Sequence, residues 1–214
     1  MESPRSEPCL IETMRFAQGH IALWPGHLQR LATSSAALGY VWAPHHVQAQ
    51  VAQQCARLDK QEVFRIRLLL ARDGQCQIEA SPLPPTSCPV RIALAPEPLI
   101  AEALWLRHKT THRPWYAAAQ TWLAQNPDIF DVIYSNPQAQ LCEGSRSNIY
   151  LSDGAGHWLT PAPDSGLLPG VQRQALLDAG LVREARLSAE DLRTASAIRV
   201  SNALRGWLDA NLII

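Results

Sequence analysis

The sequence predicts a mixed α+β chain divided into two domains. Three observations lead there. Half-apolar strand-like runs and amphipathic helical runs occur in both halves. "RIRLLLARDGQCQIEA" sets an Asp73-Gly74 turn between two strand-like runs, a strong hairpin signal. "SPLPPTSCP", residues 81–89, holds four prolines and reads as an extended linker. It divides the chain into a small N-terminal α/β domain, 1–84, and a larger C-terminal domain, 85–214.

In chain order, "CLIETMRFAQGHIAL" reads as a hairpin turning at "AQG". "PGHLQRLATSSAALGY" is a helix opened by Pro25-Gly26 and ended by Gly39, with Leu28, Leu31, Ser35 and Leu38 on one face. "PHHVQAQVAQQCARLD" starts a second helix near Pro44. "EVFRIRLLLARDGQCQIEAS" completes the first half as strand, turn and strand. Beyond the linker, "VRIALAPEPL" begins a new strand, and "HRPWYAAAQTWLAQ" is helical after Pro114. "DVIYSNPQAQLCEGSRSNIYLSDGAGHWLTP" reads as three strands separated by "NPQAQ", "EGSRS" and "DGAG". "LLPGVQRQALLDAG" is a loop feeding a helix that stops at Gly180. "SAEDLRTAS" is a short helix with Ser188 as N-cap and Asp191 three residues on. "AIRVSNALRGWLDANL" reads as a last strand, a turn and a tail.

Composition narrows the function classes. Apolar content of 47% and charged content of 18% suit a substantial core. The formal net charge is zero, so the basic excess expected of a nucleic-acid or membrane-surface protein is missing. No apolar run reaches the length of a membrane span. "MESPRSEPCLIE" is acidic and Pro-rich and lacks a basic-then-apolar signal, so a cytoplasmic location is expected. Cys9, Cys55, Cys76, Cys88 and Cys142 are odd in number and scattered, which suits reduced thiols better than disulfides or a metal site. Of 19 basic residues only Lys60 and Lys109 are lysines. In a chain that fills its cationic positions with arginine, a lysine is a candidate for chemistry that needs a primary amine.

Three segments carry candidate chemistry. Pro169-Gly170 stands at the mouth of a helix, where free N–H groups and the helix dipole attract anions. Lys109, in "RHKTTHRPWY", is a potential Schiff-base former and, once released, a general base. Glu143, in "QLCEGSRSNIYL", is an acid entering a tight polar turn. No GxSxG, HExxH, GxGxxG or GxxxxGK[ST] pattern offers a competing site. A pyridoxal phosphate enzyme needs a lysine for the aldehyde, an anion site for the phosphate, and a group facing the pyridine nitrogen. Lys109, the Gly170 turn and Glu143 match that list of requirements.

The segments "ETMRF", "HLQRL", "FRIRLLLARDG", "HKTTHR", "EGSRSNIYL", "GLLPGVQRQALL" and "VSNALRG" occur in the order seen in class IV aminotransferases. The chain resembles that family over nearly its whole length, and the separation of Lys109 and Glu143 (143 − 109 = 34) resembles the family's spacing. The resemblance implies a two-domain, D-amino acid aminotransferase-like fold of pyridoxal phosphate fold type IV, with pyridoxal 5'-phosphate as cofactor. It implies that Lys109 attaches the cofactor and shuttles a proton, and that Glu143 faces the pyridine nitrogen. Arg30 corresponds to a phosphate-binding arginine, and the backbone of Gly170, Val171 and Gln172 to a phosphate cup. Ser201 and Asn202 correspond to a second phosphate-contacting turn, and Arg146, Ser147 and Asn148 to the loop beneath the ring. Arg15, Arg65 and Arg67 are candidate binders of a substrate carboxylate; Arg65 and Arg67, two apart on a strand, share a face. Relatives are homodimers acting on small amino or carboxylate substrates, so a homodimer is expected.

The sequence departs from the family pattern in two places. Relatives begin with a strand, an Asn-Gly turn and a Gly-Asp-Gly run before "ET", which contributes active-site wall in them; this chain has "ESPRSEPC" instead, so the resemblance implies a shortened N-terminus and an altered substrate pocket. Gln172 stands where many relatives have Thr. The texture of "EGSRSNIYL" and "SNALRG" leans toward the aminodeoxychorismate lyase branch, with a branched-chain or D-amino acid aminotransferase and a catalytically silent relative as alternatives.

Overall fold

The computed structural model describes residues 7–213, in two compact units. One comprises the chain up to Pro84 together with His108–His112; the other comprises Pro85–Arg107 and Arg113 onward. The N-terminal run read as shortened falls mostly on residues 1–6, outside the described residues.

The first unit is an antiparallel sheet covered on one face by two helices. The elements are β1 (Leu10–Ala17), β2 (His20–Ile21), α1 (Trp24–Leu38), α2 (Pro44–Cys55), β3 (Phe64–Leu70) and β4 (Cys76–Pro82), with strand order β2-β1-β3-β4. β1 alternates strictly: Leu10, Met14 and Phe16 point into the core with Leu31, Val47, Val51, Ile66, Leu68 and Leu70. Glu12 occupies the same inward face and is 1% exposed. Gly39 ends α1 in a left-handed conformation (φ 71°) that suits glycine.

The sequence reading put Lys109 in the C-terminal domain by chain position. The structure groups its segment with the first unit, because its backbone joins the edge of β1. Thr110 bridges Leu10, Ile11 donates its N–H to the Lys109 carbonyl at 2.9 Å, and Thr111 donates to Cys9 at 2.9 Å.

The second unit centres on an eight-stranded mixed sheet. Its elements are β5 (Val90–Leu94), α3 (Ala103–Arg107), α4 (Ala117–Gln125), β6 (Ile129–Ser135), β7 (Leu141–Gly144), β8 (Asn148–Ser152), β9 (Trp158–Pro161), α5 (Val171–Asp178), β10 (Val182–Ala185), α6 (Ala189–Thr194), β11 (Ile198–Asn202) and β12 (Gly206–Ile213). The strand order is β10-β9-β8-β11-β12-β5-β6-β7. The expected capping box at Ser188 and Asp191 is present. The segment read as a tail is instead strand β12, held between β11 and β5. Its N–H and C=O groups are used on both sides, which a tail could not achieve.

Candidate active site

In the first unit, the Leu10–Thr110 bridge fixes the direction of the Lys109 side chain. Thr110 is fully buried on the helix-covered face with Leu10. Strand alternation therefore puts Lys109 on the opposite face, with Ile11, Thr13 and Arg15. Register adds Arg67 opposite Thr13 and Arg65 opposite Arg15. Lys109 and all three candidate substrate arginines thus share the sheet face opposite the two helices. Glu79 lies opposite Arg67 in β4.

Arg30 is not a solvated helix arginine. Its side chain is 12% exposed and grips Glu12 with two bonds, Nε to Oε1 at 2.8 Å and Nη2 to Oε2 at 2.5 Å. His27 Nδ1 lies 2.6 Å from the same Oε2. Burial pushes the Glu12 carboxyl up, but the charge and hydrogen bonds of Arg30 and His27 outweigh it and bring it down to about 2. A bidentate guanidinium–carboxylate pair holds the fork in one orientation and leaves Nη1 without a bond to the described residues. His27 Nε2, also buried, has no partner among the described residues.

In the second unit, Glu143 lies on β7, 3% exposed, and its Oε1 accepts the Tyr116 hydroxyl at 2.8 Å. The turn that follows is built on Asp131 of β6. Ser147 Oγ donates to Asp131 Oδ2 at 2.5 Å, Ser145 Oγ to Oδ1 at 2.7 Å, and the Arg146 N–H to Oδ2 at 3.1 Å. Burial pushes the Asp131 carboxyl up, partly offset by the two serine hydroxyls. A Cβ at Gly144 would run into Asp131 Oδ2, so only glycine fits there.

The turn leads directly to the helix mouth. Asn148 Nδ2 donates to the Leu168 carbonyl at 3.0 Å, and its Oδ1 fills the space that a Cβ on Gly170 would need. Gly170 is the N-cap of α5, which has no side-chain cap. The opening amides of α5 are therefore available to an anion rather than spent on a capping oxygen. β11 brings Ser201 opposite Asn148, and Ser201 Oγ pairs with Tyr150 at 2.7 Å. Asn202 donates to the Arg146 carbonyl at 3.2 Å and accepts from the N–H groups of Leu204 and Arg205. Glu143, Arg146, Ser147, Asn148, Gly170, Val171, Gln172, Ser201 and Asn202 thus form one connected cluster. The side chains of Ser147, Asn148 and Ser201 are tied within the protein and shape its loops. Arg146 is exposed.

Sequence reasoning missed Glu12, His27, Tyr116 and Asp131. Two of them left a trace: Glu12 and Asp131 are acids on inward positions of otherwise apolar strands, a costly placement that asks for partners. Tyr116 and His27 left none.

The family model for amino-transferase class IV matches residues 9–213. The chain belongs to the class IV aminotransferase family. It is 27% identical over 215 residues to the Schizosaccharomyces pombe protein named "Putative aminodeoxychorismate lyase", covering 97% of this chain and 91% of that one. The crystal structure of a "Putative amino-acid aminotransferase" from Mesorhizobium loti superposes with a TM-score of 0.89 at 35% identity, covering 97% of this chain and all of the other. A hypothetical aminotransferase from Mycobacterium tuberculosis, in a PLP-bound form, has a TM-score of 0.79 at 20% identity, covering 95% and 81%. This class IV member therefore has the expected fold type and is an enzyme of the aminotransferase–lyase group. Among the described residues, no helix is long and apolar enough to cross a membrane.

Proposed function

We propose that the protein is a pyridoxal phosphate-dependent lyase that converts 4-amino-4-deoxychorismate to 4-aminobenzoate and pyruvate. The observation that carries this reading is the sheet face on which Arg15, Arg65 and Arg67 accompany Lys109. None of the three arginines is ion-paired among the described residues. Guanidinium groups suit carboxylates. This substrate carries two carboxylates, one leaving in each product, whereas a branched-chain amino acid offers one carboxylate and an apolar side chain. The similarity to the S. pombe protein along nearly the whole chain supports the same reading.

The residues present fit the cofactor. The uncapped mouth of α5 at Gly170–Gln172 suits a phosphate dianion. In the first unit Arg30, with Nε and Nη2 spent on Glu12, keeps Nη1 for an anion. Glu143, buried with a tyrosine donor, suits a protonated pyridine nitrogen. When bound, the cofactor supplies an electron sink for the pair released at the substrate carbon. Lys109 Nζ would hold the cofactor through its aldehyde and, with its amine free, would move the proton at the substrate carbon. Glu143 would hold the ring nitrogen. Arg15, Arg65 and Arg67 orient the substrate carboxylates. A homodimer working in the cytoplasm goes with this reading.

The M. loti relative, at 35% identity, favours an aminotransferase as the second reading. Incubating the purified protein with pyridoxal phosphate and 4-amino-4-deoxychorismate tests both. The lyase reading expects 4-aminobenzoate, lost in Lys109→Ala together with the borohydride-fixed cofactor. Oxo-acid formation from amino acids without 4-aminobenzoate sinks the lyase reading in favour of the aminotransferase. A bound, borohydride-sensitive chromophore with neither product points to a silent binding relative.

A further inference from the structure

Tyr116 is completely buried, and its hydroxyl donates to Glu143 Oε1 at 2.8 Å. The ring is held from three sides. Trp115 meets it edge-on at 5.8 Å, Tyr134 lies at 5.4 Å, and the Arg113 guanidinium sits 4.5 Å above its centroid. The donor is thus fixed by packing before any ligand arrives. Burial, and then the neighbouring Glu143 charge, push the phenol well above its ordinary value, so it stays a protonated donor.

We propose that Tyr116 is a positioning residue for Glu143: by donating to Oε1 it fixes the plane in which the carboxylate would meet the cofactor ring nitrogen. A buried carboxylate favours its protonated form unless donors stabilise the anion, and a donor fixed by packing also helps to set the plane of the group. A neutral phenol does this without bringing a second positive charge to compete with the pyridinium. The cost of losing such a bond falls on cofactor binding, because the bound ring needs the anion already in place. The inference rests on the pyridoxal phosphate reading and adds a residue to it.

The test is a double-mutant cycle on cofactor affinity, read by quenching of tryptophan fluorescence as pyridoxal phosphate is titrated into the apoprotein. Tyr116→Phe keeps the ring and its packing and removes only the donor. It is expected to weaken binding roughly 10- to 100-fold, the range for a hydrogen bond to a charged group. In a Glu143→Gln background the same change is expected to stay within about twofold, because the residue it acts through is gone. The visible band of the bound cofactor should shift alike in both single variants. Equal losses from Tyr116→Phe in both backgrounds, or no loss in the wild-type background, overturn the proposal. So does a Tyr116→Phe apoprotein that is unfolded by circular dichroism, since the hydroxyl would then serve the fold. Failure of the wild-type protein to bind pyridoxal phosphate at all would instead overturn the cofactor reading beneath it.

Discussion

Glu12→Gln gives the most direct measure of how the first unit holds its arginine. The substitution keeps shape and removes charge from a carboxylate that is 1% exposed and bonded to Arg30 twice and to His27 once. Lowering a carboxyl from 4.5 to about 2 favours the anion by about 3 kcal/mol, at 1.36 kcal/mol for each tenfold step in proton affinity. Stranding the mostly buried Arg30 without its partner charge costs a similar amount. For a chain of this size, about 3 kcal/mol lowers the melting temperature by roughly 6–12 °C. The folded value lies below the unfolded one, so this stability is fully present above about pH 4.5 and is lost as the pH falls through about 2. Urea unfolding of both proteins, followed by circular dichroism from pH 7 to pH 3, is the assay. The gap between them should be constant down to about pH 5 and narrow below it. Equal stability at pH 7, or a gap that ignores pH across that range, would show that Glu12 is not the buried anion described here.

Gly170→Ala should weaken pyridoxal phosphate binding at least about tenfold with a much smaller change in melting, because the added Cβ displaces Asn148 from the helix mouth; unchanged affinity by fluorescence titration would remove the mouth of α5 from the phosphate site. Burial, and then Glu143, push the Cys142 thiol up to about 12, while Cys88 is exposed. Iodoacetamide at pH 8.5 should therefore modify Cys88 and leave Cys142 unmodified in the folded protein; early labelling of Cys142 in a peptide map would contradict its placement.

Local signals located most of the elements. Period-2 patterns found β1, β3 and β4, and the Asp73-Gly74 turn joined the last two. Gly39 and Ser188 marked a helix end and a helix start because their backbone and side-chain roles are short-range. Strand β12 was read as a tail because its residues carry no clear alternation, and only its neighbours β11 and β5 make it a strand. The short helix α3 was also missed. It spans five residues, too few for periodicity to register.

The same division holds at the site. Lys109, Glu143 and Gly170 stood out by residue type and order in the chain, because an amine, an acid and a helix-mouth glycine, which the proposed chemistry calls on, are visible one at a time. The sequence alone determined the family and the residue types the chemistry would call on. The tertiary structure decided which groups hold which. Lys109 turns onto the arginine-bearing face because Thr110 bridges Leu10, Arg30 is aimed by Glu12, and Glu143 is met by Tyr116 from 27 residues away. Those are contacts between distant segments, and their geometry comes from strand register and core packing, which no local pattern encodes.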